Sequence, residues 1–347
     1  MTDRGISLYI SKEQSLKLKG IAIIMMLYYH CFNRISLVEQ CDNFIYVGDT
    51  PLVNWLSRAA NPVWIYLFLS GYGYAVKRKS IREIINSIFR IYIHWWVVLF
   101  IFFPIGHLLN QDLFNWSNLL NNFSAWNPTY NSEVWFLFPY VLLILCSNIL
   151  LNLHRKVGNI VMLVLVLLCH FICILIFSTF GESIVREHSR ILWMLLMILY
   201  MSVPFSFGVL ASYMKFDFPN FEFCGNNGYL VVILLLIIFF KCALSETSLG
   251  VIYAIPFFLC FMMISSYIKF PKVLGNVLET FGKHSLSMWF IHSFICYHIF
   301  SKYLYSLRYP IIIFFVLVCT TYLISIVIDR MIQYLNKSLK EVVNFYD

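Results

Sequence analysis

Long apolar runs recur along the whole chain, and they restrict its possible folds more than any other feature of the sequence. Hydrophobic residues make up 61% of the 347 and charged residues only 12%, whereas a soluble domain is nearer half apolar and a quarter charged. Runs of this length cross a bilayer as helices, whose backbone hydrogen bonds are satisfied within the segment. We therefore predict an all-α polytopic membrane protein with about ten transmembrane helices. The predicted spans cover residues 18–37, 59–76, 89–109, 133–152, 158–180, 190–213, 228–243, 249–268, 285–305 and 309–329.

Lysine and arginine are unevenly distributed among the segments that flank these spans. If the N-terminus lies inside, most of the 25 basic residues fall in inner segments, as the positive-inside rule requires. An even number of spans then puts both termini on the cytoplasmic side. We expect a single integral-membrane domain over 1–347, with a cytosolic N-terminal segment (1–17) and a cytosolic tail (330–347), in the inner (plasma) membrane.

Composition also excludes some partners and sites. The net charge of +8 is explained by membrane topology, so it gives no reason to expect binding to nucleic acid. The ten cysteines are dispersed, mostly inside apolar runs, without the paired short spacings of zinc or disulfide sites. We therefore expect no metal cofactor.

The N-terminal region carries two local signals. The first eighteen residues are polar and charged, without the short apolar core of a removable signal peptide. The stretch Ser11-Lys-Glu-Gln14 has the form of a capping box, which predicts a helix that begins near residue 11 and continues into the first span.

The first span contains an unusual pair of ionisable residues, Lys19 and His30. Eleven residues make about three helical turns, so the two side chains share a face, about 16 Å apart along the axis. A lysine at this position is commonly a topology anchor at the interface. A histidine deep in an apolar run is costly to bury and tends to mark function.

Two further segments admit both structural and functional interpretations. In the second span, Ser70, Gly71 and Gly73 remove side-chain bulk, which favours close helix packing and also leaves room for a ligand. Ahead of the third span, Arg82 and Arg90 share one helix face, opposite a row of isoleucines. This segment is either a helix in the inner headgroups or a cationic site for the phosphates of a cytosolic ligand.

The later part of the chain adds two candidate residues and one loop. Glu133 opens the fourth span, either as an interfacial carboxylate or as a hydrogen-bonding group for an acceptor hydroxyl. His292 is a second histidine within an apolar run. The loop over residues 110–132, rich in Asn and Trp and without Lys or Arg, suits either sugar binding or a place in the interfacial aromatic belt.

Taken together, these motifs resemble the integral-membrane acyltransferase family 3, which transfers acyl groups to sugars and other extracytoplasmic acceptors. The resemblance covers most of the chain and rests on five motifs in the right order. They are Lys19 with His30, Phe68-Leu-Ser-Gly-Tyr72, Phe89-Arg-Ile-Tyr92, Val134-Trp-Phe-Leu137, and Gly282 with Ser285, Trp289 and His292.

The resemblance implies specific roles for these residues. His30 is the implied catalytic residue. The resemblance implies that Lys19 and Arg90 bind the donor, acetyl-CoA or another acyl-CoA. We further predict donor binding for Arg82, Ser70 and Gly71, and acceptor binding for Glu133, Trp135 and His292. Relatives often have two arginines three residues apart, whereas Ser87 stands three before Arg90 here. Either Arg82, Arg78 or Lys79 replaces that charge, or CoA is held differently.

These expectations define an enzyme that transfers an acyl group, most simply acetyl, from cytosolic acyl-CoA to a hydroxyl of an extracytoplasmic or lipid-linked glycan. His30 acts either as general base or as acyl carrier. The partners are acyl-CoA, the glycan or glycolipid and the lipid bilayer, with the oligomeric state open.

One alternative is a proton-coupled transporter or polysaccharide exporter that uses His30 and His292 as relay groups. It predicts an internal repeat between the two halves, which the sequence does not display. A weaker alternative is a purely structural partner in a glycan-assembly complex.

Overall fold

The computed structural model describes residues 6–7, 10–213, 215–216, 227–245, 247 and 249–346. Helices dominate this part of the chain, as the apolar runs predict. The α-helices are α1 (Lys12–Phe32), α2 (Ile35–Val38), α3 (Leu52–Ser57), α4 (Pro62–Val76), α5 (Ile81–Leu109), α6 (Leu119–Phe123), α7 (Leu137–Leu145), α8 (Ser147–Val157), α9 (Asn159–Phe180), α10 (Glu182–His188), α11 (Arg190–Tyr213), α12 (Asn227–Leu244), α13 (Leu249–Tyr267), α14 (Lys272–Ser293), α15 (Ser301–Tyr305) and α16 (Pro310–Tyr346).

The described residues also form short 3₁₀ and π-helical turns and four two-residue strands. Two 3₁₀ turns cover Trp116–Asn118 and Ser132–Phe136, and one π-helical turn covers Phe294–His298. Strand β1 (Ile6–Ser7) pairs antiparallel with β4 (Lys215–Phe216), and β2 (Tyr46–Val47) pairs antiparallel with β3 (Thr50–Pro51). The start of the predicted N-terminal segment, residues 1–5 and 8–9, lies outside the described residues.

The count of ten membrane spans is not confirmed. Within the described ranges, four helices are long and apolar enough to cross a membrane: Ile81–Leu109, Asn159–Phe180, Arg190–Tyr213 and Pro310–Lys337. A fifth candidate is the pair Ser132–Leu145 and Ser147–Val157, which is bent by 53°. The charges of the first turns of α1, and those along α14, dilute the apolar character of these two helices. The side on which each terminus lies stays a prediction.

Several predicted spans differ from the helices: the third and tenth belong to longer helices, Ile81–Leu109 and Pro310–Tyr346, and three others differ in their ends or continuity. The first predicted span extends to residue 37, but α1 ends at Phe32, and α2 follows as a separate turn. The ninth covers 285–305, but α14 begins at Lys272 and gives way to the π-helical turn after Ser293. The fourth, 133–152, is broken near Cys146 into α7 and α8.

The chain divides into two compact units, each assembled from separate stretches of sequence. The first comprises Met1–Ile10, Val63–Phe89 and Trp135–Cys224. Its most buried helix is α11, in which every residue from Met201 to Ala211 is buried. Helices α4 and α11 approach closely through small residues: a Cβ on Gly71 would collide with the Phe205 carbonyl, and one on Gly208 with the Phe68 carbonyl. The predicted single domain over 1–347 stays a prediction.

The second unit comprises Ser11–Pro62, Arg90–Val134 and Gly225–Asp347. The capping box is confirmed at the start of α1, where Ser11 Oγ accepts from the Gln14 amide and Gln14 Oε1 accepts from the Ser11 amide. Helix α1 packs along α14 at backbone distance, because a Cβ on Gly20 would collide with the Leu278 carbonyl and one on Gly282 with the Leu16 carbonyl. This packing sets the last turn of α1 beside the end of α14.

Candidate active site

His30 lies in the last turn of α1 and is 8% exposed. Its Nδ1 is 3.3 Å from the hydroxyl of Tyr297, in the π-helical turn, and that hydroxyl donates to Asn33 Oδ1 at 2.8 Å. Because the Tyr297 proton is directed at Asn33, the phenol oxygen is available to accept from an Nδ1–H of His30. This arrangement leaves Nε2 as the nitrogen with the lone pair in the neutral ring.

Glu133 lies opposite that nitrogen. Its Oε2 is 3.4 Å from His30 Nε2, and both side chains are largely buried, at 12% and 10% exposure. The separation exceeds the usual 2.9–3.0 Å of an N–H···O hydrogen bond. The predicted catalytic histidine and one predicted acceptor-binding residue therefore meet as an imidazole–carboxylate pair.

Asn131 fixes the position of Glu133, although no sequence signal identifies it. It is fully buried, and its Oδ1 accepts from the Glu133 amide at 3.1 Å and from Ser293 Oγ at 2.6 Å. Its Nδ2 donates to the Phe290 carbonyl at 3.0 Å. Asn131 thereby ties the turn that carries Glu133 to the end of α14.

His292, also predicted, joins this cluster from α14. Its ring centroid is 4.9 Å from that of His30, and the residue is fully buried. Its Nδ1 is 2.5 Å from the carbonyl of Trp289, which can only accept, so Nδ1 carries the proton. Within the described residues its Nε2 has no hydrogen-bond partner.

Arg34 adds a positive charge at the edge of the cluster, one turn after His30. Its guanidinium carbon lies 3.6 Å from the centre of the Tyr297 ring, and its Nη2 is 3.8 Å from Glu133 Oε1. The side chain is 47% exposed, so it faces both the buried pair and the surroundings. The sequence singles out neither Arg34 nor Tyr297, because each stands among many similar residues.

The predicted donor-binding residues do not belong to the His30 cluster. Lys19 lies on α1 eleven residues before His30, hence about 16 Å away along the helix axis. Arg82 and Arg90 are exposed in the first part of α5. Among the described residues, Arg90 forms no hydrogen bond or ion pair with the His30 cluster.

Ser87 stands where relatives often have a second arginine, and a basic residue close to it can replace that positive charge. Lys79 Nζ donates to Ser87 Oγ at 3.1 Å, so an ammonium group lies at this position on α5. Of the other two candidates, Arg78 is engaged with Asn148 and Asn152, and Arg82 lies more than one helical turn before Ser87. Lys79 is therefore the candidate that the geometry favours.

Three other predicted site residues belong to the first unit. Gly71 packs against the backbone of Phe205, and Ser70 Oγ is hydrogen-bonded to the Tyr140 hydroxyl at 2.9 Å. Both contacts agree with the packing interpretation of this motif, and a role in donor binding stays a prediction. Trp135 contacts the Trp193 ring edge to face, with centroids 6.1 Å apart, and its role with the acceptor stays a prediction.

Two asparagines of the 110–132 loop form side-chain hydrogen bonds within the loop itself. Asn122 is fully buried, and its amide donates to the Asn118 carbonyl and Thr129 Oγ1 while its Oδ1 accepts from the Tyr130 amide. Asn115 caps the first 3₁₀ turn. These two amides support the fold of the loop.

In the described ranges of the chain, no group of three or more His, Cys, Asp and Glu side chains is arranged to hold a metal ion. The imidazole–carboxylate pair has the composition of an acid–base device.

Comparison with known proteins assigns the chain to a family. The family profile described as an acyltransferase domain matches residues 17–330, which covers all of α1 after its first turns and ends within α16. The chain belongs to acyltransferase family 3. This acyltransferase family 3 protein is thus an acyltransferase and a membrane protein, and the match favours acyl transfer over the transport alternative. No curated protein and no solved structure matches the chain.

Proposed function

We propose that this acyltransferase family 3 protein lies in the inner membrane and transfers an acyl group, most simply acetyl, from acyl-CoA to a hydroxyl of a cell-envelope glycan. The observation that carries the proposal is the buried pair of His30 and Glu133, 3.4 Å apart, with the Tyr297 hydroxyl on the other ring nitrogen. Such a pair is suited to take a proton from a hydroxyl and to stabilise the imidazolium that forms.

The transfer is a single displacement at the thioester carbonyl. The acceptor hydroxyl lies beside the pair, in reach of both His30 Nε2 and Glu133, and gives its proton to Nε2 as its oxygen attacks the thioester carbonyl. The new C–O ester bond forms, the C–S bond breaks, and the proton passes to the sulfur to give free CoA. Arg34 stabilises negative charge on the carbonyl oxygen during this step, as a positioned cation does in a water-poor site.

Donor binding is assigned to basic residues of α1 and of the segment that leads into α5. Acyl-CoA carries several phosphate charges, which lysine and arginine hold through charge-assisted hydrogen bonds. Lys19, Arg90, Arg82 and Lys79 are proposed for these contacts. The pantetheine arm then follows the face of α1 shared by Lys19 and His30 and presents the thioester to the imidazole.

The proposal is tested by replacing His30. We expect His30→Ala to reduce acylation of the surface glycan to a small residual level, measured as the mass of the glycan from cells with matched protein levels. His188→Ala, an exposed histidine in α10, serves as the matched control and should leave the glycan unchanged. Full acylation in the His30→Ala cells would refute the catalytic assignment.

A further inference from the structure

A polar cleft lies directly beyond the end of α1 that carries His30. Helix α2, the β2–β3 hairpin and α3 surround it, and its volume is about 560 Å³, within the range of small-molecule sites. Its polar wall is formed by Glu39, Asn43, Tyr46, Asp49, Asn54 and Arg58. The acid–base chemistry described above uses none of these residues.

Two sets of hydrogen bonds that meet at Asn33 join this cleft to His30. Asn54, on the cleft wall, donates through Nδ2 to the carbonyls of Phe32 and Asn33 at 2.7 and 3.2 Å. The side chain of Asn33 accepts from the Tyr297 hydroxyl, which contacts His30 Nδ1. The wall of the cleft and the reacting imidazole are therefore held in one fixed frame.

The polar groups of the cleft match a polyhydroxylated ligand. Glu39 and Asp49 are exposed carboxylates, and neither forms a hydrogen bond or ion pair through its side chain with another described residue. Ionised carboxylates accept strong hydrogen bonds from hydroxyl donors. Tyr46, 53% exposed, offers an aromatic face and a hydroxyl, the combination that suits the apolar face and polar rim of a sugar ring.

The charges of the cleft select among saccharides. Two carboxylates oppose the single guanidinium of its wall, that of Arg58, so a ligand with carboxylate or phosphate groups meets net repulsion there. A neutral saccharide meets none. In the other region with sugar-binding composition, the 110–132 loop, the buried amide of Asn122 is used for the fold of the loop itself.

We propose that this cleft binds the neutral saccharide portion of the acceptor, and that Glu39 and Asp49 bind its hydroxyls while the hydroxyl to be acylated reaches His30. The assignment rests on the proposed function and adds to it the class of acceptor and the place where the non-reacting part docks. Binding energy from this part of the acceptor positions the reacting hydroxyl.

The test measures acceptor and donor dependence separately. Surface glycan is extracted from cells that lack the protein, stripped of esters with mild alkali, and titrated as acceptor for the purified full-length protein with acetyl-CoA. We expect the double variant Glu39→Gln with Asp49→Asn to need at least about tenfold more glycan for half-maximal rate, because two charge-assisted hydrogen bonds become neutral ones. The acetyl-CoA concentration for half-maximal rate should stay within about twofold.

Asp112→Asn is the matched control, since Asp112 is an exposed carboxylate in the other loop, and its glycan dependence should not change. Unchanged glycan dependence in the double variant, or an equal loss toward both substrates, would overturn the assignment of the cleft alone. Tighter glycan binding by the double variant would show an anionic acceptor and overturn the neutral class. Absence of transfer by the unaltered protein would instead overturn the proposed function, and the cleft assignment with it.

Discussion

Replacement of Glu133 by Gln tests the acid–base pair most directly. The change keeps the size of the side chain and removes its charge. Opposite unit charges 3.4 Å apart interact by about 5 kcal/mol at an effective dielectric constant of about 20. His30 becomes charged only as the reaction proceeds, and Arg34 at 3.8 Å offsets part of the attraction. We therefore take about 2–3 kcal/mol as the loss in the transition state, or roughly a 30- to 200-fold fall in kcat.

The assay is release of free CoA in the presence of saturating stripped glycan, with acyl transfer confirmed by mass. Glu187→Gln, an exposed glutamate in α10, is the matched control and should keep full activity. The decisive comparison is made in the His30→Ala background. If Glu133 acts through His30, its replacement there should cost little further activity. An equal fold-loss in both backgrounds would refute the coupling, and an unchanged kcat in the single variant would refute the role of the carboxylate.

Two further predictions concern other parts of the chain. Lys79→Ala should raise the acyl-CoA concentration needed for half-maximal rate about tenfold, since one phosphate contact is lost, and Ser87→Arg in the same protein should restore it. Failure of Ser87→Arg to restore donor affinity would show that a positive charge at residue 87 does not replace that of Lys79. Gly282→Ala should lower the free energy of unfolding of the purified protein by about 1–3 kcal/mol, because its Cβ meets the Leu16 carbonyl. Gly73→Ala, where a Cβ meets nothing within 4 Å, should cost much less, and equal losses would contradict the packing argument.

The helical class and the membrane character follow from hydropathy, but helix ends and breaks do not. The segment from Lys272 to Lys283 carries several charges, so its hydropathy indicates a loop, although it forms the first half of α14. Hydropathy measures the cost of leaving water, whereas α14 forms because its small residues, such as Gly282, fit the backbone of α1. That fit is a tertiary property and leaves no periodic signal in one segment.

Single members of the site are visible in the sequence, but their association is not. His30, Glu133 and His292 each stand out as an ionisable residue in or beside an apolar run. Their contact depends on how α1, α14 and the 131–133 turn pack, over separations of more than 100 residues along the chain. Asn131, which joins two of these elements, resembles any other asparagine of a polar loop. Its importance comes entirely from burial and from the groups it contacts.

The position of Glu133 bears on whether His30 carries the acyl group itself. An acyl group on Nε2 would place its carbonyl carbon about 1.4 Å from that nitrogen, the length of a C–N bond. Glu133 Oε2, 3.4 Å from Nε2, occupies the space that the acyl substituents need, and displacing it would leave a buried carboxylate without its partner. The geometry therefore favours direct transfer. We expect purified protein mixed with radiolabelled acetyl-CoA, without glycan, to retain no label after rapid quenching at neutral pH and removal of small molecules. Label recovered on His30 in the unaltered protein would refute the direct route. Label found on His30 only in the Glu133→Ala variant would show that the carboxylate normally prevents acylation of the imidazole.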